Sequence, residues 1–127
     1  MFTTTIFEKA DAKERVMDAN KLLRSLGVNG RYIGFRYVKY MIEQILVNPD
    51  KIHLVTKRLY PDTAKHFGVS TSSMERAVRT VIQICWERDD RNMLEKMAGH
   101  KLERIPTNVE FLDMMVDYIR RESRLDL

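Results

Sequence analysis

Cysteine occurs once, as Cys85, so no disulfide can form within the chain and no cysteine-rich zinc site can be built. Nothing marks an oxidising compartment. Three prolines and five glycines in 127 residues are too few breakers for a many-turned β fold, and they favour helices. No apolar run approaches the roughly 20 residues of a membrane span. The start, Met1-Phe2-Thr3-Thr4-Thr5-Ile6-Phe7-Glu8-Lys9, lacks a basic opening followed by a long apolar stretch, so it is not a secretory signal. A cytoplasmic protein is expected. There is no phosphate-cradling glycine loop and no G-x-S-x-G elbow. His53, His66 and His100 lack the tight spacing of metal ligands, and the adjacent Asp89 and Asp90 would point apart on a helix. Neither an enzyme nor a metal or cofactor site is expected.

What is present is an ordinary globular composition, 44% apolar and 31% charged, at a length suited to one domain. The expectation is a single domain over 1–127, with residues 1–10 a flexible arm. The net charge of +4 is unevenly spread. Residues 51–88 hold seven basic and three acidic side chains, whereas 89–127 hold seven basic and nine acidic. A positive middle suits a polyanion, although a solvated basic face would look the same.

Apolar spacing predicts about six helices and an all-α fold. A first helix over 11–26 carries Val16, Ala19, Leu22, Leu23 and Leu26, with Gly27 just past its end. A second over 31–47 turns Ile33, Tyr37, Val38, Met41, Ile42 and Ile45 to one side and stops at Asn48-Pro49. A short helix through His53–Leu59 should break near Tyr60-Pro61, and another should run from Asp62 to Phe67. The strongest helix covers 70–88. A short one over 91–98 ends at Gly99. The last, about 108–123, starts with a capping box in which Thr107 and Glu110 satisfy each other's backbone N–H groups.

Asp62 to Trp86 reads as one helix-turn-helix unit, without a wing. Ala64 is small where the helices would come closest, Gly68 accepts positive φ in the turn, and Val69 would plug the gap between the helices. Spacing alone leaves an ordinary helix hairpin open. The second helix adds a further clue. Positions 74, 77, 78, 81, 82, 84 and 85 form one apolar side, and Ser72, Glu75, Arg76, Arg79, Thr80 and Gln83 form the other. Arginine, hydroxyl and amide groups suit base edges or phosphates, while an i,i+4 pair of Glu75 with Arg79 would be the solvated alternative. Among Ser70, Thr71, Ser72 and Ser73 one must cap the helix, and Ser72 with Glu75 resembles a capping box. The others, with nearby N–H groups and Lys65, would lie against phosphates. Cys85 reads as a buried thiol, Trp86 as packing at the helix end, and His66 as a surface residue near the turn.

Leu59-Tyr60-Pro61-Asp62-Thr63-Ala64-Lys65-His66-Phe67, then Met74-Glu75-Arg76-Ala77-Val78-Arg79 and Trp86, resemble the C-terminal effector domain of stage-zero sporulation protein A, a response regulator of sporulation. Pro106-Thr107-Asn108-x-Glu110-Phe111 is similar to the start of that family's last helix. The resemblance runs through about residues 15–123 and is densest in 59–86. It implies a six-helix domain that binds promoter DNA and regulates transcription, with Glu75, Arg76 and Arg79 facing the DNA.

Ser73 stands where the family has a base-contacting arginine, and Thr80 where it has histidine. Losing an arginine–guanine pair changes discrimination by about 1–3 kcal/mol, so DNA binding carries over better than the family's particular target sequence does. Full-length family members carry an N-terminal receiver domain phosphorylated on aspartate, and the segment before residue 15 is too short to be one. If the chain is complete, control by abundance or by a partner is expected instead. Expected partners are duplex DNA, a second copy alongside on the DNA, and RNA polymerase or a regulatory protein. The rival reading is a protein-interaction module on the same fold, using the acidic last segment with Met114 and Met115.

Overall fold

A computed structural model describes residues 19–88 and 91–125, and no β-strand occurs among them. Six α-helices do, as the apolar spacing predicts. The first, α1, is described from residue 19 to 25. It is followed by α2 (Ile33–Val47), α3 (Tyr60–Phe67), α4 (Thr71–Glu87), α5 (Asn92–Ala98) and α6 (Asn108–Leu125). The expected arm over 1–10, the start of the first helix with Val16, and Asp89-Asp90 lie outside the described residues. No helix of the described residues is long and apolar enough to cross a membrane.

Local chemistry sets most of the helix ends. Gly27, Gly68 and Gly99 each take positive φ just past a helix, the conformation that lets a helix terminate without a Cβ clash. Asn48 is extended ahead of Pro49, and its side chain accepts from the Asp50 N–H. At α6 the capping box forms: Glu110 N–H donates to Thr107 Oγ1 at 3.1 Å, and Thr107 N–H donates to Glu110 Oε1 at 3.0 Å. Arg104 also donates two hydrogen bonds to the Glu110 carboxylate. That carboxyl is held down to about 2, first by Arg104 and then by the Thr107 N–H.

The expected break at Tyr60-Pro61 does not occur. A 3-10 stretch, Pro49–Leu54, passes into a π turn, Val55–Leu59, and on into α3. Leu59 and Tyr60 both have right-handed helical φ and ψ, and the Tyr60 N–H reaches back to the Val55 carbonyl. A proline ring would collide with the carbonyl four residues earlier in a regular helix. The wider π turn falls where that collision would arise, and Pro61 sits in the first turn of α3.

The core is one cluster drawn from all six helices, including Leu23, Met41, Ile42, Ile82, Leu94, Phe111 and Met115. Tyr37, Val38, Met41, Ile42 and Ile45 of α2 are buried as expected, but Ile33 is 53% exposed. Gly34 takes the inward position instead. A Cβ there would fall 2.2 Å from the Ala77 carbonyl oxygen and 2.8 Å from Val81 Cγ2, so α2 lies directly on the backbone of α4.

Candidate nucleic-acid interface

Ala64 is buried on α3, as a close helix approach requires. Gly68 (φ +67°) turns the chain, with its N–H on Lys65 O and the Val69 N–H on Ala64 O. The expected plug at Val69 is not seen. Val69 is 36% exposed, and the apolar residue beside the turn that packs inward is Phe67, 5.0 Å from the Tyr37 ring.

The first turn of α4 is capped by Ser70. Its Oγ accepts from the Ser73 N–H at 3.2 Å and donates to Ser73 Oγ at 2.9 Å. Ser72 therefore lies inside the helix, exposed, and is not the cap. One side of α4 buries Met74, Val78, Val81, Ile82 and Cys85. Burial pushes the Cys85 thiol up to about 12, so it is an inert core group. Ser72, Ser73, Arg76, Thr80 and Gln83 are exposed on the other side, while Thr71, Glu75 and Arg79 are half-buried. The Thr80 hydroxyl donates back to Arg76 O, which leaves its oxygen able to accept. Lys65 is exposed in the last turn of α3. His66 is exposed and stacks on Tyr40 at 4.3 Å. Trp86 packs under Arg91, whose guanidinium carbon lies 3.7 Å from the ring centre.

The seven basic side chains of 51–88 divide by partner. Lys51 donates to Gln44, Arg79 to Pro106 O and Arg88 to Ser25 O. Lys57, Arg58, Lys65 and Arg76 are exposed. Arg88 is exposed as well despite its bond, so the positive field of this segment is carried outward by five side chains.

Sequence reading missed the segment that meets α4 at Arg79 and Glu75. Arg79 Nη1 donates to the Pro106 carbonyl at 2.6 Å, and Asn108 Nδ2 donates to the Glu75 carbonyl at 3.3 Å. Pro106-Thr107-Asn108 carries a visible helix start, but no local signal says which helix it will meet. Burial raises the pKa of the Tyr60 hydroxyl; the neighbouring Asn108 amide opposes that rise and the Glu75 carboxylate adds to it. Among the described residues, no group of three or more His, Cys, Asp or Glu is placed to hold a metal.

Two helices across a tight glycine turn, the second with a polar outer face and an apolar inner one, define a helix-turn-helix domain. The family model described as "Sporulation initiation factor Spo0A C terminal" matches residues 19–119, most of the chain, and the chain belongs to that family. This is a family of DNA-binding effector domains that regulate transcription in sporulation, and it is not a family of enzymes. Double-stranded DNA is accordingly its partner class.

Proposed function

We propose that this chain is a sequence-specific, transcription-regulating domain that inserts the start of α4 into the major groove. The observation that carries the reading is the exposed strip of Ser72, Ser73, Arg76 and Thr80 opposite the buried face of α4. Arg76 pairs with a base edge, most naturally guanine O6 and N7, and Glu75 orients it. Ser72, Ser73 and Thr80 add secondary contacts, and Arg79 borders the same strip. Lys65 and the N–H groups near Ser70 and Thr71 grip phosphates. A second copy binds alongside, because one short helix reads few base pairs. The domain works in the cytoplasm, on the nucleoid.

Selection from a random duplex pool, followed by anisotropy titrations at two salt concentrations, tests this. A recovered motif, weakened by about 1–3 kcal/mol at one base pair on Arg76→Ala, supports direct readout. If Lys57, Arg58, Lys65 and Arg76 all meet phosphates, log K falls with log salt at a slope near −4, taken as about −0.9 per contact. Binding equally tight to every sequence defeats the proposal.

A second reading, a protein-interaction module, draws on a groove of about 760 Å³ between α5 and α6. Met97, Leu102 and Met114 line it, with Asp113 and Asp117 among its charged residues. A regulator or RNA polymerase would be its occupant. In that case Arg76→Ala leaves partner binding intact.

A further inference from the structure

We infer that Arg79 and Asn108 are positioning residues: they pin the DNA-facing turns of α4 to the Pro106–Asn108 segment and so fix how the helix is presented to the groove. The inference rests on the DNA-reading role proposed for α4. On a helical wheel Arg79 is a neighbour of Arg76, and by type both could read bases. Their surroundings differ. Arg76 is exposed, whereas Arg79 is half-buried with its Nη1 2.6 Å from the Pro106 carbonyl. That carbonyl belongs to a buried residue just ahead of the helix cap, and a buried carbonyl needs a donor. Arg79 supplies it, and a guanidinium held there is not at liberty to swing to a base edge.

One turn earlier on α4, the Glu75 carbonyl accepts from the Asn108 side chain. Residues 75 and 79 are thus tied to residues 108 and 106, so that two successive turns of α4 are held by one short segment. The arrangement has a cost. Asn108 Oδ1 is fully buried with no hydrogen-bond partner. A leucine would fill such space without leaving an acceptor unsatisfied, so the polar groups do not maximise stability. What they supply is direction: a hydrogen bond fixes one rotation of a helix where apolar packing tolerates several. Arg76, Ser72 and Ser73 gain their register on DNA from this hold.

The experiment uses the full chain carrying Arg79→Met, which keeps the apolar stem, and separately Asn108→Ala. Amide hydrogen exchange in the free protein should quicken over residues 71–80 in both variants. DNA affinity should fall by roughly ten- to a hundredfold for Arg79→Met, the order of one hydrogen bond from a charged donor, and by up to about tenfold for Asn108→Ala, the order of a neutral one. The fall should be uniform over the selected motif, with an unchanged salt slope and little further loss in the double variant. Arg79→Lys, which can still donate to the carbonyl, should restore most of the affinity. A slope smaller by about one would make Arg79 a phosphate contact, and a loss confined to one base pair would make it a base reader. Either result overturns the inference, as does unchanged affinity. If the wild-type domain selects no sequence, the DNA-reading proposal fails on its own. The exchange data then decide whether the segment holds α4, and unchanged exchange overturns that too.

Discussion

Replacing Gly34 with alanine sets two simple expectations against each other. Gly34 is inside α2, and helix propensity alone makes Gly→Ala stabilising by about 1 kcal/mol. The structure says otherwise. The new Cβ would lie 2.2 Å from Ala77 O, 2.7 Å from Ala77 C and 2.8 Å from Val81 Cγ2. Two of these atoms are backbone, so no side-chain rotation relieves the contact. The helices must move apart by more than about 1 Å to restore ordinary van der Waals distances. Overpacking of this kind costs about 1–3 kcal/mol, occasionally more. Because two of the clashing atoms are backbone, the upper end of that cost applies, and set against the propensity gain the net expectation is destabilisation by about 2 kcal/mol. At this chain length that lowers the melting temperature by roughly 3–10 °C. Urea unfolding followed by circular dichroism measures it. Gly30→Ala is the control, because a Cβ there meets nothing within 4 Å. A Gly34→Ala protein as stable as wild type, or more so, would refute the close approach of α2 to α4. Because α4 is the helix proposed to enter DNA, the variant should also bind DNA more weakly under conditions where it remains folded.

Three other outcomes follow from the same geometry, and a fourth from burial. Thr107→Ala should lose about 1 kcal/mol of stability through the lost cap, measured by the same unfolding. Glu110 is held at about 2 in the folded chain against an ordinary 4.5, so its contribution is present above about pH 4.5 and fades as pH falls toward 2. Glu110→Gln should flatten the pH dependence of stability in that window and leave the slope near neutral pH alone. Gly68→Ala should destabilise by about 1–2 kcal/mol, because φ +67° forces a Cβ into the left-handed region although no neighbour crowds it. Cys85 should resist thiol reagents in the folded protein and react at the rate of unfolding, which a disulfide-exchange assay in increasing urea would reveal.

Features carried by neighbours in the chain were legible in the sequence. Thr107 with Glu110, Gly27, Gly68 and Gly99 past helix ends, and the alternating faces of α4 all depend on residues within a turn or two. Features that depend on what packs from afar were not. Ile33 has the right spacing for the buried side of α2, but Gly34 faces α4, and only the position of Ala77 decides that. Val69 has the right place in the sequence for a plug, but Phe67 packs inward beside the turn and Val69 stays at the surface. Pro61 looks like a break until the π turn ahead of it is seen. Within the candidate site, Arg76 and Arg79 are alike by type and adjacent on the helical wheel. They differ because Pro106, 27 residues further along, arrives beside one of them.

The most direct test of the central claim is amide chemical-shift mapping while duplex DNA is added to the isotope-labelled chain. The target sequence need not be in hand, since weak binding to any duplex already places the contact surface. Shifts concentrated at Lys65 and over residues 70–80, with the groove residues 97–104 and 113–117 quiet, are the result expected if α4 enters the groove. Shifts over that α5–α6 groove with residues 70–80 unmoved would contradict it.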